Sequence, residues 1–539
     1  MMNTTCTKIQ IYDTTLRDGA QGEGISFSVQ DKLRIAQKLD KLGVAYIEGG
    51  WPGSNPRDAE FFAAASRLDW QFAKLTAFGS TRRAGLTAEQ DENLQKLVAA
   101  GTPAVAIFGK TWLLHVDHVL KTTPEENLAM IRESCAFLAQ QGREVIFDAE
   151  HFFDGYKDDP DYAMAVLRAA AEGGAVTLTL CDTNGGTMPV EVFRICETIR
   201  AAFPPEIRLG IHAHNDGDLA VANSIMGVRA GCGQVQGTIN GYGERCGNAN
   251  LSSIIANLEL KTDFSCLPEG KLVELKSVSS FVDDLANVRH NRRAPFVGDS
   301  AFAHKGGMHV NAVQKDPRTF EHVPPEAVGN GRRILVSDLS GKSNLVMKAA
   351  ELGFDLKKSD DLGKLLAVLK ERENAGYEYE AADASFAVLL HKLFGKWGHY
   401  FKLEGFRVII EKRHHDGRTI SEATVKVSVN GISELTAAEG DGPVNALDLA
   451  LRKSLERFYP EIKEIALADF KVRILDGVNG TAARTRVLID STDGRNTWGT
   501  VGLDDNIIQA SWEALVDSVE YALYRKNIEP VITDEKQED

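Results

Sequence analysis

The sequence predicts a (β/α)8 barrel of the TIM type, followed by a mostly helical linker region and a C-terminal α+β domain. Three patterns predict it. Short β-branched apolar runs alternate with longer amphipathic stretches through the first half. Polar and ionisable residues gather at the C-terminal ends of those runs. From about residue 400 the rhythm changes to groups of three strands followed by a helix. A chain of 539 residues is too long for one core. The expected division is 1–276 for the barrel, 277–399 for helical linker subdomains, 400–530 for the α+β domain and 531–539 for an acidic tail.

The predicted barrel strands are Lys8–Asp13, Val44–Gly49, Gln71–Phe78, Pro103–Phe108, Arg143–Ala149, Val176–Cys181, Ile207–Ile211 and Gln234–Asn240. Helical patterns such as Ser28–Leu42 and Ala163–Glu172 separate them. Strands alternating with helices imply parallel pairing, and eight such units make a barrel of about 250 residues. A doubly wound sheet is the alternative, but no Gly-x-Gly-x-x-Gly follows the first strand. Beyond the linker, Phe406–Lys412, Ser421–Val429 and Ile432–Ala438 read as strands that lead into a helix at Ala446–Arg457. A second copy follows as Ala466–Leu475, Ala482–Asp490 and Asn496–Gly502, with its helix at Ala510–Arg525. Two strands-then-helix units predict a small domain with pseudo-twofold symmetry.

Bulk properties exclude some classes of function. The chain is 43% hydrophobic and 25% charged, an ordinary globular composition. A net charge of −15 argues against nucleic acid as the main partner. No basic-then-apolar leader and no run of 18 apolar residues is present, so no membrane association is expected. Seven cysteines without a Cys-x-x-Cys pair suit reduced thiols in a cytoplasm.

In a barrel the chemistry sits at the C-terminal strand ends. Strand one leads into Asp13-Thr14-Thr15-Leu16-Arg17-Asp18, and strand two ends in Glu48-Gly49-Gly50. Strand five ends in Asp148-Ala149-Glu150-His151 and strand six in Asp182-Thr183-Asn184. Strand seven runs into His212-Ala213-His214-Asn215-Asp216. Residues two apart on a strand share a face, so two imidazoles leave this strand side by side. A bare His-x-His also suits one exposed and one loop histidine; the neighbouring ends supply the partners that favour a metal. Two imidazoles and one carboxylate, with positions left open, suit a catalytic divalent ion. Cys181 and Cys246 lie near these ends, and both read as buried packing thiols.

The segments DTTLRDGAQ, HAHND and GYGERCGNANL occur in this order at the ends of strands one, seven and eight. Together they resemble the barrel signatures of the 2-isopropylmalate synthase, homocitrate synthase and citramalate synthase family, to whose wider group HMG-CoA lyase belongs. The segments Ile47–Pro56 and Phe147–Gly155 are most similar to the bacterial and archaeal citramalate synthases in it. The resemblance spans essentially the whole chain. It implies a Claisen condensation of acetyl-CoA, as co-substrate, with pyruvate and water to give (R)-citramalate and CoA, in isoleucine biosynthesis.

Carried over residue by residue, it implies that Asp18, His212 and His214 bind a divalent ion (Mn2+, Mg2+, Zn2+ or Co2+), with Asn248 as a further ligand or close neighbour. Arg17 would donate to the keto oxygen and Thr183 would hold the substrate carboxylate. Glu150 matches a carboxylate near the reacting acyl group. His304, within Ser300–His309, matches a linker histidine that serves the partner protomer's site, and it is the candidate general base. Some relatives carry a tyrosine just beyond; here Phe320 stands in that place and can donate no hydrogen bond. Lys305, Arg292 and Arg293 read as solvated charges, with CoA phosphates as the other reading. Trp51 and Phe78 are expected near the substrate pocket. The C-terminal domain resembles the family's dimerisation and feedback domain, which implies a homodimer that binds a branched-chain amino acid, isoleucine for a citramalate synthase. Three other functions stay open: the same chemistry on a bulkier 2-oxo acid, as a 2-isopropylmalate or homocitrate synthase would perform it; a C–C lyase like HMG-CoA lyase; and an amino-acid sensor whose barrel has lost activity.

Overall fold

The computed structural model describes residues 7–335, 342–352, 354, 359–394, 398–412, 419–475 and 483–533. These fall into two compact units: 1–302 with 321–332, and 303–320 with 333–539.

The first unit holds a closed parallel barrel. Its strands are β1 (Gln10–Asp13), β2 (Tyr46–Gly50), β3 (Lys74–Ser80), β4 (Ala104–Lys110), β5 (Glu144–Glu150), β6 (Thr177–Asp182), β7 (Arg208–Ala213) and β8 (Gln234–Gly237). The barrel closes where Gln10 pairs with Gln234 and Asp13 with Gly237. Helices α1 (Val29–Leu42), α2 (Pro56–Ala65), α3 (Glu92–Ala99), α4 (Pro124–Gln140), α5 (Phe152–Asp158), α6 (Pro160–Glu172), α7 (Pro189–Ala202), α8 (Ala220–Arg229), α9 (Leu251–Lys261) and α10 (Leu275–Leu285) follow their strands or close the unit. Their apolar faces meet the outer faces of the strands in one continuous core, which includes Ile11, Ile47, Val105, Phe147, Leu178 and Ile211. Inside the barrel, Tyr12, Tyr46, Phe78, Ala106 and Ile146 pack together.

Local chemistry explains these boundaries. Ser28 and Asp31 form a reciprocal capping box that starts α1. Gly43 ends it in the left-handed region at φ +98°, where an added Cβ would lie 2.3 Å from Pro268. Strand β3 begins three residues later than its apolar run suggests. The backbone N–H groups of Gln71, Phe72 and Ala73 donate to the buried Asp40 carboxylate at 2.8–3.0 Å, so they cannot join the ladder. The first apolar run is split: Thr7–Lys8 pairs with Phe264–Ser265 outside the barrel. Strand β8 stops at Gly237 because Asn240 turns left-handed at φ +60°.

The second unit begins with the short strand Ala303–His304, paired with Arg333–Ile334, and helix α11 (Gly307–Lys315). Helices α12 (Lys342–Glu351), α13 (Ser359–Ala375) and α14 (Asp383–Phe394) follow. Then come two antiparallel three-stranded sheets, each with a helix: β9 (Lys402–Lys412), β10 (Thr419–Val429) and β11 (Ile432–Gly440) with α15 (Pro443–Leu455), and β12 (Ala466–Ile474), β13 (Thr485–Thr492) and β14 (Thr497–Asp504) with α16 (Ile507–Arg525). The repeat read from the sequence is present. The start of the strand expected from Ala482 and the tail from Asp534 lie outside the described residues. No helix among the described residues is long and apolar enough to cross a membrane.

Candidate active site

Strand β7 delivers His212 at its end and His214 just beyond, their ring centroids 5.2 Å apart. The two Nε2 atoms lie 3.4 Å from each other. Asp18, from the turn after β1, brings Oδ2 to 3.4 Å from His212 Nε2. All three residues are buried, and their ligand atoms fall within 4.8 Å of one another.

The Gln236 amide fixes the imidazole. Gln236 Nε2 donates to Asp148 Oδ1 (2.9 Å) and to Thr179 Oγ1 (3.1 Å), so Gln236 Oε1 faces His212 Nδ1 at 2.9 Å. Nδ1 therefore carries a hydrogen, and Nε2 turns its lone pair toward Asp18 and His214. The electrostatics agree with a cation site. Burial raises the Asp18 pKa, but Arg17 and His212 outweigh it and hold the carboxyl well below its usual range. Burial lowers the His212 pKa, yet Asp18 outweighs that and raises it. Burial and the neighbouring His212 push His214 down to about 4. Asn248 is bridged to His214 through the backbone, and its Nδ2 donates to the Tyr242 carbonyl at 3.2 Å. Asn248 Oδ1 and His214 Nδ1 are left buried without a hydrogen-bond partner. Nitrogen lone pairs, a carboxylate and orphaned polar atoms together fit a divalent ion.

Arg17 is held on three sides. Its Nε donates to Glu48 Oε2 at 2.6 Å, its guanidinium carbon sits 3.7 Å from the Phe78 ring centroid, and its Nη1 lies 3.6 Å from Asp18 Oδ2. Glu48 is fully buried, and its carboxylate also accepts from Tyr12 and Thr14. The sequence places Glu48 at a strand end without a role; the barrel makes it the anchor of Arg17. The signal for it is a cross-strand one, the pairing of Asp13 with Ile47, which local pattern does not carry. Asp148 also lacked a role, and burial with Glu48 nearby pushes its pKa up to about 6.

These groups line a cavity of about 250 Å3. Trp51, Phe78 and Phe108 form one wall, with Trp51 edge-on to both phenyl rings at 5.7 Å. Glu150 and Thr183 also line it. Glu150 is ion-paired with Lys110 from β4. Thr183 Oγ1 accepts the His151 backbone N–H at 2.9 Å. The cavity thus gathers Arg17, Asp18, Glu150, Thr183, His212 and His214 from four strand ends, with Asn248 beside His214. His304 belongs to the second unit, where its carbonyl accepts from Leu335 N. Lys305 pairs there with Glu380 at 2.7 Å, and Phe320 stacks on His309 with centroids 4.0 Å apart. Cys181 is buried as expected and also lines the cavity, but Cys246 is exposed. The loop carrying Cys246 is turned outward by Arg245 (φ +56°) and Gly247 (φ +88°), so packing does not claim the thiol.

Comparison with known proteins divides the chain in three. Residues 8–282 match the HMGL-like family, 296–376 the homocitrate synthase post-HMGL domain-like family, and 380–523 the LeuA allosteric (dimerisation) domain. The chain is 54% identical to an (R)-citramalate synthase of Aquifex aeolicus, over 97% of this chain and 99% of that one. It is 53% identical to an (R)-citramalate synthase of Geobacter sulfurreducens, over 96% and 98%. It is 30% identical to a 2-isopropylmalate synthase of Pyrococcus furiosus, over 95% and 98%.

Proposed function

The chain belongs to the HMGL-like family and within it to the (R)-citramalate synthases, and from that premise we propose that it condenses acetyl-CoA with pyruvate and water to give (R)-citramalate and CoA. The observation that carries this reading is identity above half along nearly the full length of two enzymes of that name, together with a cavity that gathers Arg17, Asp18, His212 and His214.

Asp18, His212 and His214 would hold the ion, with Asn248 as a further ligand or close neighbour. A divalent ion held there supplies Lewis acidity to the 2-oxo acid. Arg17 donates to the keto oxygen as that oxygen gains negative charge; because Glu48 and Phe78 already fix the guanidinium, little reorganisation is required. Thr183 donates to the substrate carboxylate. Glu150, beside Lys110, faces the acyl group. The methyl proton of the acetyl thioester goes to His304 of the partner subunit, a role that accounts for about 100- to 10,000-fold in rate. The carbanion forms the new bond to the keto carbon, and water then cleaves the thioester and releases CoA. Trp51, Phe78 and Phe108 form the wall against which the side chain of the 2-oxo acid would be selected. One methylene changes such a preference by about 1–3 kcal/mol.

The test is release of free CoA thiol from acetyl-CoA with Mn2+ or Mg2+ present, with pyruvate, 2-oxobutyrate, 2-oxoisovalerate and 2-oxoglutarate offered separately. The expected result is release with pyruvate far above the others. Release mainly with a bulkier acid overturns the substrate; no release with any of them overturns the condensation.

The LeuA-type domain supports a homodimer with a feedback amino acid, and we assign isoleucine to it. Ile410, Leu435 and Ile474 on β9, β11 and β12 are 58%, 62% and 63% exposed, apolar surface that a second copy would cover. Light scattering of the full chain at micromolar concentration should give the dimer mass, and isoleucine should lower CoA release where leucine and valine do so less. A monomer, or an unchanged rate with isoleucine, removes the respective assignment. The described cysteines are all free thiols, which supports a cytoplasmic location.

A further inference from the structure

His151 is the one residue between β5 and α5, and its backbone is left-handed at φ +56°, ψ +34°. That conformation is uncommon for a non-glycine residue, less so for histidine than for most, and the surroundings hold it in place. They do so here on every side. His151 Nδ1 lies 3.2 Å from Asp154 Oδ2, which also accepts from Asn184 Nδ2 at 3.0 Å. The His151 ring meets the His115 ring at 4.2 Å between centroids and Trp112 at 5.9 Å. The turn itself cannot slide: its carbonyl accepts from Gly155 N at 2.9 Å, and a Cβ on Gly155 would lie 2.6 Å from the Thr111 carbonyl oxygen.

This left-handed turn sends the His151 N–H to Thr183 Oγ1. A threonine hydroxyl has one hydrogen to give. With its oxygen already accepting from the backbone, the hydroxyl hydrogen is free to donate elsewhere, and Thr183 faces the cavity. Arg245 Nη2 fixes the same residue from behind by donating to the Thr183 carbonyl at 2.8 Å. We propose that His151 is a positioning residue for the 2-oxo acid: its left-handed backbone orients the Thr183 hydroxyl as a donor to the substrate carboxylate. This rests on the reading of Thr183 given above and assigns His151 no contact with the reacting atoms.

The experiment compares His151→Val, His151→Asn, Thr183→Val and the double variant His151→Val/Thr183→Val in the full-length enzyme. Valine is poorly tolerated at positive φ, whereas asparagine enters that region readily. His151→Val should raise the KM for pyruvate about tenfold with kcat at saturation little changed, the pattern of a lost ground-state contact. The KM for acetyl-CoA should stay the same. His151→Asn should recover most of that loss, although it lacks the imidazole. In the Thr183→Val background, His151→Val should add no further rise, since both act through one hydroxyl. Additive effects in the double variant, or an asparagine variant as impaired as valine, overturn the proposal. If Thr183→Val alone leaves the pyruvate KM unchanged, the reading of Thr183 fails instead. Should His151→Val not fold, His151→Ala against His151→Gly gives the same comparison, with glycine expected to retain the lower KM.

Discussion

Arg17→Ala should lower CoA release by about 100- to 1,000-fold, the scale of removing a preorganised oxyanion donor. The metal content should stay at its wild-type value, because Arg17 is not a ligand and its charge opposes a neighbouring cation. The variant should also lose stability. Glu48 has no exposure and would keep only its Tyr12 and Thr14 partners. Removing one member of a buried ion pair costs on the order of 3 kcal/mol. Thermal unfolding therefore belongs beside the activity assay, performed well below the variant's transition. A folded Arg17→Ala enzyme with near-wild-type turnover would remove Arg17 from the chemistry.

His212→Ala should abolish metal retention. One of three converging ligands is lost, and its Gln236 partner is left with an unpaired oxygen in a buried site. Disturbing an outer partner alone weakens metal affinity by about 10–100-fold, so loss of the ligand itself should exceed that range. Elemental analysis after dialysis should give about one ion per chain for wild type and almost none for His212→Ala. A full complement of metal in the variant would remove the central assignment.

Much of the barrel was legible because its strands are short β-branched runs punctuated by turn residues, and all eight lie where those runs lie. The misplaced ends have specific causes. A side chain thirty residues upstream, Asp40, takes the N–H groups of Gln71–Ala73, and no local pattern announces that. The π-turn at Val116–Leu120 likewise has no periodic signature. In the site, residues at strand ends were findable one by one. Their supporting partners were not. Glu48 anchors Arg17 and Gln236 orients His212 only through contacts between neighbouring strands, 31 and 24 residues apart in sequence, which a local pattern does not carry. Cys246 shows the converse failure: its residue type suggests packing, but the left-handed turn beside it decides exposure.

The seam between β1 and β8 has a temporal meaning. Asp18 follows the first strand and His214 follows the seventh, so their meeting requires nearly the whole barrel to be laid down and its first and last strands to be joined. Pairings of such long sequence separation are slow steps in folding, because chain entropy is lost before contact is gained. The three ligands cannot serve as a nucleus around which the chain collects. An ion held by these residues would be captured only once the ring of strands had shut, since a nascent chain still lacking its eighth strand carries two histidines and an aspartate with no common place to meet.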